Sequence, residues 1–262
     1  MRLQRRRSGK SGTTDPRWRR RAVAAAILGA LALPALAFLP PGSAILRRAV
    51  QKREEVGLGA LEARGTLGLA GEAAGQVAAA IGAPAAPQLS ARSVLMVKSP
   101  GRCRLELSPE RAAAVRPAVS ARGGRVVAAG GLESAPAVRA LVEGVCTLLG
   151  GAGGLGQRLA GHGVALGDVA LGRMGGRVAW VLGGRPLSGR PQGWVDKQSF
   201  QPIRLVAPLA GAPRDVRLVD FGSSVGGEVF PQAVEVWSGG QLEVRFTLEK
   251  LVPNPKLPDA LF

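Results

Sequence analysis

Apolar residues recur along this chain with two distinct periods. Between Pro136 and Leu149 the apolar positions Val138, Leu141, Val142, Val145, Cys146 and Leu149 fall at i, i+3, i+4, i+7, i+8 and i+11. That spacing predicts an amphipathic helix, with Ser134 as its N-cap and Gly150-Gly151 as its stop. Residues 44–56 predict a second, shorter helix, with Ile45, Leu46, Ala49 and Val50 on one face and basic residues around it. Elsewhere the period is two. In Leu242–Leu251, Leu242, Val244, Phe246 and Leu248 alternate with Glu243, Arg245, Thr247 and Glu249. In Arg102–Leu107, Cys103, Leu105 and Leu107 share one face and Arg102, Arg104 and Glu106 the other. Further strands are predicted over 61–69, 93–98, 124–129, 177–182, 192–196, 202–206, 215–221 and 232–237, with a turn at Ser99-Pro100-Gly101.

Many short strands joined by turns predict an antiparallel meander, not a βαβ fold. Each strand carries one apolar face. The expected architecture is therefore α+β: a strongly curved antiparallel sheet, an open half-barrel, with helices covering its concave face.

The first 44 residues follow another pattern. Nine Lys/Arg and one Asp lie in residues 1–21, and an uncharged stretch runs from Ala22 to Leu39. Pro34 interrupts that stretch, and Ala35-Leu36-Ala37 supplies a small-x-small pattern. The segment reads as a basic n-region with a signal peptide or a membrane anchor. Positive charge stays on the cytoplasmic side, so residues 45–262 are expected outside the cytoplasm, in the periplasm, and possible tethering to the inner membrane falls to residues 22–39. At 46% hydrophobic residues, those that follow suit a packed domain and not a disordered chain.

The net charge of +17 is divided almost evenly between residues 1–21 and the remainder. A basic surface suits phosphate-bearing partners. No basic stripe interleaved with aromatics is present, so an anionic membrane surface is the expected partner and nucleic acid is not.

Catalytic chemistry finds little support. His162 is the one histidine, in Gly161-His162-Gly163, and reads as an exposed or capped loop residue. It has no Cys/His companions for a metal and no Ser/Asp order for a triad, so neither catalytic residues, cofactor nor metal is expected. Gly150–Gly156 follows a helix and lacks a Gly-Lys-Ser/Thr ending, so it reads as a flexible linker and not a phosphate loop. Cys103 and Cys146 sit on apolar faces of a strand and of the main helix. In an oxidising compartment a Cys103–Cys146 disulfide is favoured over two buried thiols.

Four segments, in order, resemble one family. Ser99-Pro100-Gly101-Arg102-Cys103-Arg104-Leu105 resembles its early "x-P-G-R-x-R-x" hairpin. Gly193-Trp194-Val195-Asp196 through Phe200-Gln201-Pro202 resembles its "W-x-D-x-x-x-F-x-P" strand–turn–strand. Phe230-Pro231-Gln232-Ala233-Val234-Glu235-Val236 resembles "F-P-x-x-I/V-x-V", and Leu251–Phe262 resembles the closing "V-x-x-N-x-x-L-x-D-x-L-F". The family is that of the LolA/LolB-like periplasmic lipoprotein carriers, proteins of outer-membrane lipoprotein sorting. The resemblance covers about residues 45–262 and implies a roughly eleven-stranded half-barrel plugged by helices. It implies a non-enzymatic carrier whose partners are lipid or lipoprotein acyl chains and a membrane-protein donor or acceptor; the alternative is an envelope sensor or protein-interaction module on the same fold. Combined with the faces above, it implies a lipid cavity lined by Leu105, Leu107, Val142, Val145, Trp180, Leu182, Leu242, Val244, Phe246 and Leu248. It also implies an arginine latch on the helical lid, for which Arg102 and Arg104 are the candidates.

Overall fold

Among the described residues, twelve antiparallel strands form one open sheet, ending on Arg125–Ala129 at one edge and Val169–Met174 at the other. The computed structural model describes residues 39–110, 115–151 and 153–262; the leader, anchor and cleavage readings for residues 1–38 lie outside them. The strands are β1 (Ala60–Ala70), β2 (Gln88–Lys98), β3 (Arg102–Leu107), β4 (Ala118–Arg122), β5 (Arg125–Ala129), β6 (Val169–Met174), β7 (Arg177–Leu182), β8 (Gln192–Asp196), β9 (Pro202–Leu209), β10 (Ala212–Val219), β11 (Ala233–Ser238) and β12 (Gln241–Pro253). The helices are α1 (Gly42–Glu55), α2 (Glu72–Ile81), α3 (Pro136–Leu149) and α4 (Leu155–Gly161).

The spatial order is β5-β4-β3-β2-β1-β12-β11-β10-β9-β8-β7-β6. The chain walks outward from β1 to one edge, crosses through α3 and α4, and walks back from the opposite edge until β12 lies beside β1. Every pairing is thus between sequence neighbours except β1 with β12. Those two are the longest pairing partners, and their register slips once, between Arg64 and Gly65. A Cβ at Gly65 would stand 2.0 Å from the Thr247 carbonyl oxygen. The bulge therefore needs glycine, and such a bulge adds local twist at the middle of the sheet.

The helix α3 lies on the concave face and packs against β3 and β4 on one side and β9, β10 and β11 on the other. It is buried on nearly all sides, which explains why its sequence is apolar beyond the predicted stripe. Its start differs from expectation: Ser134 Oγ donates to the Gly131 carbonyl instead of capping, and Pro136 opens the helix. The core beneath α3 gathers Leu105, Val142, Phe230, Phe246 and their neighbours into a single cluster. Phe230 and Phe246 meet edge to face at 6.3 Å. A smaller apolar cluster, Ala179, Val181, Trp194 and Ile203, lies apart from that core. The expected architecture is the one observed, with twelve strands and not eleven, and with α2, α4, β4 and β6 added to the elements read from the pattern.

Candidate functional site

Beneath and beside α3 the structure offers two cavities. The larger, about 920 Å³, is bounded by the β4–β5 hairpin, the polar flank of α3, α4 and the end of β9. Its walls include Ala121, Val126, Cys146 and Pro208, with Glu143, Thr147, Arg158 and His162 among them. The smaller, about 360 Å³, lies between the end of α1, the start of β1 and Leu149, with Val97, Gln201 and Val229 in its wall. Gln201 donates to the Glu228 carbonyl at 2.8 Å, while its own side-chain oxygen is buried without a partner.

The segment joining α3 to α4 stands between the two cavities and is held by two arginines. Arg53, from α1, donates to the Leu149 carbonyl at 3.1 Å. Arg158, from α4, donates to the Thr147, Gly153 and Gly151 carbonyls at 3.0, 2.7 and 2.7 Å. Cations at the C-terminal end of a helix meet its partial negative charge and its unpaired carbonyls. Burial is nonetheless costly: it lowers the Arg53 pKa to about 10, with the Arg158 charge adding to the effect and Cys103 opposing it. Burial likewise lowers the Arg158 pKa.

The arginines of β3 do something else. Strand alternation turns Arg102 and Arg104 away from the face that carries Cys103, Leu105 and Leu107. Arg102 pairs with Asp259, which Lys98 also binds at 2.6 Å. Arg104 pairs with Glu106 at 2.8 Å and donates to Ser120 at 3.0 Å. None of these four bonds reaches α3. The side-chain hydrogen bonds to the last carbonyls of α3 come from Arg53 and Arg158.

Of the predicted cavity residues, Leu105, Leu107, Val142, Val145, Trp180, Leu182, Val244, Phe246 and Leu248 come together, all buried in the core around α3. Leu242 stays partly exposed outside that core, next to a register slip at Val236/Trp237. None of the ten borders either cavity just described. From α3 the cavity walls take Cys146 and Leu149 of the apolar stripe together with Glu143 and Thr147, which the stripe left out.

Cys103 and Cys146 also come together. Cys103 pairs in register with Ala121, and Cys146 Sγ lies 3.8 Å from the Ala121 carbonyl oxygen. Both are free thiols in the structure, and they lie close enough for each to affect the other. Burial, then the neighbouring Cys146, pushes the Cys103 thiol well above its usual range.

His162 is neither exposed nor a simple loop residue. Its Nε2 is 2.8 Å from Thr147 Oγ1, and its Nδ1 is 3.9 Å from Glu143 Oε1. Thr147 Oγ1 donates to the Glu143 carbonyl at 2.8 Å, and the Ala210 N–H donates to Glu143 Oε2 at 2.9 Å. A hydroxyl has one proton. With that proton on the carbonyl, Nε2–H of His162 is the donor and Thr147 the acceptor. The imidazole is thus a positioned polar group between Thr147 and Glu143. Burial lowers the His162 pKa below its usual 6.5, against the pull of Glu143. The sequence carries the signal: Arg139, Glu143 and Thr147 form a polar row at i, i+4 and i+8 on an otherwise apolar helix. No group of three or more metal-ligating side chains occurs among the described residues.

One apolar side chain stands free of the surface. Leu187, in the β7–β8 loop between Arg185 and Arg190, is 96% exposed.

No family model matches the chain, and no curated protein does. Among solved structures it is similar to a LolA superfamily protein from Nitrosomonas europaea, with TM-score 0.44, 13% identity, and 86% of this chain and 98% of that one covered. It is also similar to a DUF1329 family protein from Desulfovibrio piger, with TM-score 0.42, 12% identity and 85% and 97% covered. A third likeness is to MucB in complex with MucA(peri), with TM-score 0.26 and 17% identity; it covers 84% of this chain and 58% of that one.

Proposed function

We propose that this chain is a non-enzymatic periplasmic carrier of lipid or lipoprotein acyl chains, delivering them toward the outer membrane. The observation that carries the reading is α3. An apolar helix, buried on nearly all sides, plugs the concave apolar face of an open sheet, and a cavity of about 920 Å³ opens along its flank. That volume lies within the range of ligand sites. A helix so placed can exchange its apolar contacts for those of an acyl chain, each buried methylene contributing about 0.8 kcal/mol. The hydrogen bonds that hold its C-terminal end are to backbone carbonyls and are re-formed in water at small net cost.

The rest of the surface fits a membrane-facing role. The chain is strongly basic, and anionic headgroups attract such surfaces. Leu187, flanked by Arg185 and Arg190, offers an apolar contact at the point where bilayer and loop would meet. A membrane-protein donor or acceptor and tethering by residues 22–39 belong to the same proposal.

The test is direct. The full chain is purified without detergent, extracted, and its bound lipid identified by mass spectrometry, with uptake of a fluorescent fatty-acyl probe measured in parallel. Lipid in near-stoichiometric amount, or saturable uptake of the probe, is the expected result. Protein that carries no lipid and takes up no probe would overturn the reading.

A further inference from the structure

Three features meet at the last turn of α3. The Cys146 thiol borders the 920 Å³ cavity, whereas the Cys103 thiol behind it is fully buried. Cys103 lies on β3, beside Ala121 of β4, and Cys146 reaches over that pair from the helix. Of the arginines that hold the end of α3, Arg158 brings positive charge to both thiols and Arg53 to Cys103.

From this arrangement we infer that Cys103 and Cys146 form a redox latch on α3, closed as a disulfide and open as the dithiol, with Cys146 as the sulfur that exchanges with a disulfide oxidant reaching it through the cavity. This rests on the reading of α3 as the carrier's lid.

The chemistry balances as ordinary thiol–disulfide exchange. Cys146 loses its proton and its thiolate attacks one sulfur of the oxidant's disulfide. A mixed disulfide forms and the oxidant's second sulfur leaves as a thiolate. Cys103 then loses its proton and attacks Cys146 Sγ, forming the internal bond and releasing the oxidant's first sulfur. Two protons and two electrons leave the protein, and the oxidant's disulfide is reduced to a dithiol. The order of events follows from access. Burial holds the Cys103 thiol protonated, so it cannot begin the exchange, whereas Cys146 stands at the cavity wall. Arg53 and Arg158 oppose the burial, favouring a thiolate once the mixed disulfide has loosened the contact.

The consequence is mechanical. In the dithiol form the last turn of α3 is held to its surroundings by hydrogen bonds from Arg53, Arg158 and the Gly101 N–H. All of these break and re-form as the helix moves. A bond between residues 103 and 146 would fix that turn to β3 and close the route by which acyl chains enter beneath it.

The experiment uses the full chain and oxidised glutathione. Intact mass distinguishes loss of two hydrogens from a persistent glutathione adduct. Two readouts follow on each form: hydrogen exchange at the last turn of α3, and the rate of uptake of the fluorescent fatty-acyl probe. The bonded form is expected to show both slowed about tenfold or more, since opening of that turn must then distort the bond. Reduction should restore both. Cys103→Ala should stop at the glutathione adduct; Cys146→Ala should form neither product while folded. An adduct that persists on the wild-type chain would overturn the inference, as would a bonded form with unchanged exchange. Slowed exchange with no uptake in either form would leave the latch standing and reject the carrier reading instead.

Discussion

The seat of α3 on the sheet can be tested at one atom. Gly144 faces Val216 of β10, and a Cβ built there would lie 2.7 and 2.8 Å from the two Val216 methyl carbons and 2.9 Å from its Cβ. Carbon atoms in favourable contact stand about 3.5–4.0 Å apart. Gly144→Ala therefore forces α3 and β10 about 1 Å apart, because Val216 is fully buried and has nowhere to turn. Two effects compete. Alanine in a helix interior is favoured over glycine by about 1 kcal/mol. Overpacking a filled core costs about 1–3 kcal/mol. The second should win, with a net loss of about 1 kcal/mol and a Tm lower by about 2–4 °C for a domain of this size. Calorimetry measures the shift, and hydrogen exchange along α3 should quicken with it. Val216→Ala removes the two nearest carbons, so in the double variant Gly144→Ala should cost less than it does alone, with a coupling of about 1 kcal/mol. A Gly144→Ala protein that gains the full helical propensity, or a strictly additive double variant, would show that α3 does not sit this close to the sheet.

Phe246 is fully buried against Phe230, so Phe246→Ala should cost about 3–5 kcal/mol in urea unfolding, and Phe246→Asp should leave no folded protein by circular dichroism. Because burial depresses the His162 pKa, its contribution is fully present above pH 6.5 and is lost as pH falls below that value, where the unfolded chain takes up a proton that the folded one resists. Denaturant midpoints of His162→Gln should fall less steeply over that acidic range than those of the wild type; identical slopes would remove His162 from the account. Asp259 has its pKa lowered by a hydrogen bond from Lys98, with burial opposing and Arg102 assisting; Asp259→Asn should expose the C-terminal residues to carboxypeptidase sooner, and equal digestion would refute the clamp. A reporter active only in the cytoplasm, fused after Phe262, should be silent if the charge step at Arg21/Ala22 sets the topology.

The strands and the main helix were readable in the sequence wherever one face alone was buried. β12 is an example: Val244, Phe246 and Leu248 are buried and Arg245 and Glu249 exposed, so period two survives in the chain. α3 was readable because its ends are marked and its length is typical. β6 was not, since no residue from Val169 to Met174 is fully buried; an edge strand lacks the alternation that burial imposes. The linker expected over Gly150–Gly156 runs into the start of α4: five of the seven residues before Leu155 are Gly or Ala, yet Leu155 and Leu159 turn inward and fix the helix. The arginines of β3 are a different case: strand alternation places Arg102 and Arg104 opposite Cys103, and only the family resemblance points to them as a latch.

The motifs that carried the resemblance turn out to be turn chemistry. Asp196, buried at 1% exposure, accepts from the Gln198 and Ser199 N–H groups and from Ser199 Oγ at 2.8–3.0 Å, and pairs with Arg177 at 3.0 Å. Phe200 follows at φ 58°, and Pro202 begins β9. Asn254, at φ 47°, accepts from the Gly59 N–H at 2.9 Å and joins the end of β12 to the start of β1. Each motif closes a hairpin or seals the central pairing, so together they specify the half-barrel and leave its cargo open. The cavity beside α3 is lined where the motifs are silent, at Glu143, Cys146, Thr147 and His162. Those four positions bring acid, thiol, hydroxyl and imidazole to a cavity whose other walls include Ala121, Val126 and Pro208. An acyl chain would need only the apolar walls. On the proposed carrier reading, the polar four are therefore the positions that would select the ligand, and substitutions there should alter which lipid is bound before they alter whether any is.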